Sequence, residues 1–176
     1  MNQSLVITAI GADRPGIVNE LTEILLKAGL NIEDSRMSVL GGEFAVMLLV
    51  TGNDISIDSV NQQKDSISTS LDLSVLIKPT ISSSNQSDDH TRYKIIVDGM
   101  DNPGIVHKLA RYLSQHSINI VNMQTDSSHA PHTGTPMFTV NMLVDIPSGQ
   151  VIEQVENDFG ALCDELNMDV ELKAVI

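Results

Sequence analysis

A hexapeptide occurs twice in this chain, as Asp13-Arg14-Pro15-Gly16-Ile17-Val18 and as Asp101-Asn102-Pro103-Gly104-Ile105-Val106. The offset from position 13 to position 101 is 88 residues, half of the 176-residue chain. The agreement extends beyond the motif. Ile7, Gly11, Leu21, Leu25, Asn31 and Ile32 recur as Ile95, Gly99, Leu109, Leu113, Asn119 and Ile120. A period this long, with polar and apolar positions both kept, marks a duplicated domain and not a solenoid. The chain is therefore expected to fold as two similar units of roughly 80 residues. A unit that small buries only about 60% of its unfolded surface. The halves are thus expected to pack on one another, or the chain to oligomerise, for example as a homodimer.

Each half has the same order of signals. Leu5 to Ile10 is a short apolar run bounded by Gly11, a strand pattern. Asp13 and Pro15 then read as a helix start, with Pro15 near the first helical position. Ile17, Leu21, Leu25 and Ala28 form one helical stripe, and Gly29 stops it. Extended structure is expected over Asn31 to Leu40 and Glu43 to Thr51, joined by a Gly41-Gly42 hairpin. A second helix is expected over Ser56 to Leu71, with Ile57, Val60, Ile67 and Leu71 inward, and a strand over Leu73 to Lys78. The second half reads as a strand over Tyr93 to Val97, a helix marked by Ile105, Leu109, Tyr112 and Leu113, and strands over Ile118 to Thr125 and Met137 to Asp145. A helix over Val151 to Leu166 and a strand over Met168 to Ile176 complete it. The order βαββαβ predicts an α+β fold of two ferredoxin-like units, each an antiparallel sheet with helices on one face. The expected division is a first domain over 1–79, a solvated, flexible linker over 80–92 and a second domain over 93–176. That linker is long enough to let the two sheets meet edge to edge; the alternative is a swapped partner chain. The halves differ most between their second and third strands, where Ser127 to Pro136 replaces the glycine pair and reads as a real loop.

The repeated motif suits a small anion. A helix start leaves backbone N–H groups without intrahelical partners, and the macrodipole adds partial positive charge there. Pro15 and Pro103 would fix φ for helix entry, and Gly16 and Gly104 would let a ligand approach the backbone. Asp13 and Asp101 could accept hydrogen bonds from an ammonium group while the helix start takes a carboxylate, a combination favouring an amino acid over a phosphate. An Asp before Pro-Gly also serves as a plain N-cap and turn that needs no ligand. Asn31 and Asn119 could meet a ligand's polar groups, or satisfy the turn after the helix.

Other function classes find little support. Ten basic against 23 acidic residues give a net charge of −13. Phosphate backbones call for clustered Lys and Arg, so direct nucleic-acid binding is not expected. The one cysteine, Cys163, reads as a packed thiol on a helix face. The start of the chain lacks a charged n-region and cleavage site, and no apolar run approaches the roughly 20 residues that span a bilayer. A cytoplasmic protein without membrane contact is expected. His90, His107, His116, His129, His132 and the carboxylates form no recognised catalytic motif, so neither an enzyme nor a bound cofactor is indicated. Asp126, His129 and His132 could touch a metal, but a surface loop explains them better, and no metal site is expected.

An apolar strand, Asp-x-Pro-Gly-Ile-Val, an amphipathic helix and then Gly-Leu-Asn-Ile or Ser-Ile-Asn-Ile resembles the ACT domain, a small-molecule sensing module, in both halves. The tandem arrangement, the length and Gly134-Thr135-Pro136-Met137-Phe138 resemble the glycine cleavage system transcriptional repressor family. That resemblance implies a non-enzymatic regulator without a DNA-binding domain. It would sense a small amino acid (glycine or serine), and repress transcription indirectly by binding a LysR-type activator of the glycine cleavage operon, with glycine relieving the block. It implies ligand binding beside the first strand–helix turn, at Asp13, Pro15 and Gly16 and at Asp101, Pro103 and Gly104, with Asn31 and Asn119 in support. The alternative is a ligand-sensing or structural tandem ACT module regulating an enzyme of amino-acid or one-carbon metabolism. Deformylases and phosphatases that resemble this chain carry ACT modules ahead of a catalytic domain, for which a chain ending at Ile176 has no room. Arg14 gives way to Asn102 in the second copy, so the two starts are expected to be chemically unequal.

Overall fold

The computed structural model describes residues 3–81 and 89–175, which form two compact units. The first runs β1 (Gln3–Ala12), α1 (Ile17–Lys27), β2 (Asn31–Leu40), β3 (Glu43–Gly52), α2 (Asp54–Leu71) and β4 (Ser74–Thr80). The second runs β5 (His90–Met100), α3 (Ile105–Gln115), β6 (Asn119–His129), β7 (Pro136–Pro147), α4 (Ile152–Glu165) and β8 (Met168–Ala174). Both are the βαββαβ unit that the sequence predicts. The sheets have strand orders β2-β3-β1-β4 and β6-β7-β5-β8, antiparallel throughout.

Alternation builds one face of each sheet and helical spacing covers it. In the first unit Leu5, Ile7 and Ala9 of β1 and Phe44, Val46, Leu48 and Val50 of β3 are buried. They meet Ile17, Leu21 and Leu25 of α1 and Ile57, Val60, Ile67 and Leu71 of α2. Ile95 and Val97 with Ile105, Leu109, Leu113, Val155 and Phe159 make the matching core of the second unit. Cys163 is fully buried in that core, and burial pushes its thiol up to about 11. Both second strands carry a bulge at the same place, between Ile32 and Asp34 and between Ile120 and Asn122.

Several boundaries differ from the sequence reading. β4 reaches Thr80 and β5 begins at His90, so the strands run into both ends of the expected linker; its residues 82–88 lie outside the described residues. The expected loop over Ser127 to Pro136 is shorter. Ser127, Ser128 and His129 pair with Phe138, Met137 and Pro136, leaving a turn over 130–135 closed by the Gly134 N–H donating to the Ala130 carbonyl. That polar run has little strand propensity of its own; the ladder to β7 holds it.

Candidate functional site

The repeated motif lies in the turn between the first strand and first helix of each unit, held from behind. The Asp13 N–H donates to the Gly42 carbonyl and the Asp101 N–H to the Pro136 carbonyl, both at 3.0 Å. The helix does not begin at proline. Pro15 and Pro103 stand one residue outside, and Gly16 and Gly104 are the N-caps, with φ of 91° and 86°. Glycine is needed for that left-handed backbone. Room is a lesser matter: a Cβ on Gly16 would meet only Glu20 Oε1, at 3.5 Å, and one on Gly104 nothing within 4 Å.

The aspartates do not cap either. Neither helix start has a side-chain cap bond, and the carboxylates of Asp13 and Asp101 make no side-chain hydrogen bond or ion pair among the described residues. The capping explanation for the Asp-x-Pro-Gly sequence is thereby removed. What remains at each start is a set of amides that the helix cannot serve, of which the Ile17 N–H donates to the Arg14 carbonyl at 3.4 Å, with an exposed carboxylate in the preceding turn. The helix α2 shows the contrast, because there Asn53 accepts from the Ser56 N–H at 2.9 Å.

Beside the first start is an open depression of about 470 Å³. Asp13, Arg14 and Gly16 line its rim, Val18 and Asn19 come from α1, and Met37 and Val39 form the wall on β2. Met37 and Val39 are 59% and 50% exposed, so this wall is open to solvent. Asn31 is not in this depression. It lies with Ile32 in a second one, of about 390 Å³, at the far end of α1, and Asn19 lines both. The eleven residues of α1 separate Gly16 from Asn31 by about 16 Å along the helix axis. The Asn31 amide donates to Glu33 Oε1 at 2.8 Å, as does the Thr51 hydroxyl, and these bonds lower the Glu33 carboxyl below its usual range. Asn119, its equivalent, is exposed and makes no side-chain hydrogen bond among the described residues.

The sequence reading missed Glu20. Arg14 donates to both its oxygens, at 2.6 and 2.7 Å, and this pairing lowers the Glu20 carboxyl and raises the Arg14 guanidinium. Glu20 becomes Lys108 in the second unit, as Arg14 becomes Asn102, whose amide donates to the Met100 carbonyl at 3.1 Å. A neutralised ion pair thus flanks the first start, and in the second a lysine takes the helix position of its acid. The signal was present in the offset of 88, since Lys108 stands where the first half has Glu20. Among the described residues no group of three or more His, Cys, Asp or Glu side chains could hold a metal ion; His129 ends β6 and His132 sits in the turn.

Comparison with known proteins agrees with this architecture. An ACT-domain model matches residues 3–78 and a second ACT-domain model matches residues 93–160. The glycine cleavage system transcriptional repressor of Escherichia coli is 30% identical over 171 residues, covering 97% of this chain and 90% of that protein. The crystal structure of a protein from Galdieria sulphuraria superposes with a TM-score of 0.83 at 27% identity, over all of both chains. Another crystal structure, provisionally named a glycine cleavage system transcriptional repressor, has a TM-score of 0.74 at 28% identity, over 99% of this chain and 98% of that one. The chain belongs to the tandem ACT-domain family that includes the glycine cleavage system transcriptional repressor.

Proposed function

We propose that the chain is a non-enzymatic regulator that binds a small amino acid, glycine or serine, and represses transcription indirectly by binding a LysR-type activator of the glycine cleavage operon. The observation that carries this reading is the likeness to the Escherichia coli repressor along 97% of the chain. The uncapped helix starts support the ligand half of it. The amides after Gly16 and Gly104 suit a carboxylate, and the unpaired Asp13 and Asp101 suit an ammonium group. Pro15 and Pro103 hold the turn that presents them. Asn31 and Asn119 open β2 and β6 beyond the far ends of α1 and α3, too distant to share that ligand within one unit, and would touch a ligand only from a second surface.

The two starts are not equivalent. At the first, a ligand carboxylate competes with Glu20 for Arg14; at the second, Lys108 takes the place of Glu20 and adds attraction. The start of α3 is therefore the stronger site. The reading implies a cytoplasmic protein that does not bind nucleic acid itself; among the described residues no helix is long and apolar enough to cross a membrane.

Calorimetry with an amino-acid panel, glycine first and serine second, tests the proposal. Saturable heat at one site per chain is expected, abolished by Asp101→Ala and largely kept in Asp13→Ala. Co-elution of the purified LysR-type activator, released by glycine, is expected alongside. No heat with any amino acid at millimolar concentration would remove the sensing role, and failure to co-elute would remove the partner.

A further inference from the structure

The duplicated fold supplies an internal control for the depression at the first helix start. Residues directly opposed on paired strands share a face of the sheet. Met37 and Val39 of β2 stand opposite the buried Val46 and Phe44 of β3. They therefore lie on the helix-covered side, at the edge that α1 leaves open. In the second unit Thr125 and Ser127 of β6 stand opposite Val140 and Phe138 of β7. The inner strands thus keep valine and phenylalanine in register, while the wall beside them changes from two apolar side chains to two hydroxyls. The fold does not demand an apolar wall there, because the second unit is built without one. Exposed apolar side chains on an edge strand are a liability in water, which a bound apolar group removes.

We infer that the depression at the start of α1 binds an amino acid with an aliphatic side chain, such as leucine, and that the start of α3 is left to the small ones. The inference rests on the reading that these starts hold amino acids, and gives each start its ligand class. The first depression has a polar end and an apolar side. At the polar end the Val18 and Asn19 N–H groups and the Asp13 carboxylate make no hydrogen bond among the described residues, and Arg14 shares its guanidinium with Glu20. These groups suit an α-carboxylate and an α-ammonium. Along the side, Val18, Met37 and Val39 suit an alkyl chain. The volume of about 470 Å³ falls in the range of small-molecule sites, about 300–1,000 Å³, and glycine would leave most of it empty. Glycine also gains little here, since its carboxylate must compete with Glu20 for Arg14. An alkyl chain supplies the difference. Each methylene-sized group fully removed from water is worth about fourfold in affinity. With its side chain partly covered, leucine should hold this start about tenfold or more tighter than glycine does. The hydroxyl wall of the second unit offers an alkyl chain no such gain.

Calorimetry on the full chain with L-leucine tests it, with and without glycine at the concentration that saturates glycine's own heat. Leucine heat at one site per chain, kept in the presence of glycine, is expected. Met37→Thr with Val39→Ser, which writes the second wall into the first, should weaken leucine binding about tenfold or more. Met47→Thr, on the opposite side of the sheet, should leave it unchanged. Isocaproate, which is leucine without its ammonium group, should bind more weakly than leucine. Should the double variant fail to fold, methyl NMR spectra of methionine-labelled protein decide: leucine should move the Met37 signal and glycine should leave it in place. Glycine heat without leucine heat, leucine heat abolished by glycine, leucine binding indifferent to the double variant, or isocaproate binding as tightly as leucine overturns the inference and leaves the α3 start as the amino-acid site. No heat with either amino acid removes the amino-acid reading, and the inference with it.

Discussion

Four repeated glycines do two different jobs, and substitution separates them. Gly16 and Gly104 hold a left-handed cap with open space around them, so alanine there costs backbone strain of about 1–2 kcal/mol and nothing in packing. Gly11 and Gly99 have no such backbone, but a Cβ would stand 2.7 Å from the Asp72 carbonyl or 2.6 Å from that of Asn167. Something must shift there, at about 1–3 kcal/mol or more. Denaturant unfolding of Gly99→Ala should therefore show a loss at least equal to that of Gly104→Ala, while only Gly104→Ala disturbs the turn beside the proposed ligand. The sequence made all four positions visible, because they recur at the same offset. It did not distinguish them. Pro-Gly after Asp has the local signature of a helix entry, and whether proline or glycine occupies the cap is settled by φ, which composition does not encode.

Among the elements, strands buried on one face were the most legible, since β1, β3, β5 and β7 alternate and their cores carry the pattern. The edge strands were harder. Every residue of β2 is exposed, and the end of β6 is a polar run, so each owes its extension to the neighbouring ladder. The Arg14–Glu20 pair was likewise hidden, because a separation of six that crosses the cap follows no helical pairing rule. One pairing across β5 and β7 governs acid stability. Asp145, 7% exposed, accepts from Arg92 Nε at 2.8 Å and Nη2 at 3.0 Å, with His90 Nε2 at 3.4 Å and Asn119 opposite on β6. Hydrogen bonding to Arg92 holds its carboxyl below the usual range. A carboxyl lowered on folding contributes fully above its unfolded value, about 4, and its contribution is lost as pH falls through the lower folded value. Asp145→Asn should thus destabilise the second unit by about 1–3 kcal/mol at neutral pH and flatten the decline of stability below about pH 5. Thermal melts of both proteins from neutral to strongly acidic pH check this; parallel curves would exclude the pair as the cause.

At the scale of the molecule, duplication was the easiest feature to read and the difference between the copies the hardest. Matched residues announce a repeat, whereas the contrast between Met37 and Thr125 has meaning only once register sets both opposite a buried valine of the next strand. The cores are two separate clusters, each drawn from one unit. Unfolding is accordingly expected in two calorimetric transitions, with Asp145→Asn lowering one of them and Gly16→Ala the other. A single transition shifted by both variants would show that the units unfold together. The separate cores also bear on synthesis. β4 is the last strand of the first sheet and ends at Thr80, so every buried contact of that unit is available before the second half has been translated. Domains generally fold as units during translation, the N-terminal one first. The exposed Ile10, Met47 and Leu76 of the first sheet are then presented by a nascent chain, and crowded ribosomes set such side chains close together. High-level expression should accordingly meet its aggregation hazard during translation, and slower initiation or a holdase chaperone should raise the soluble yield more than a change of buffer after lysis.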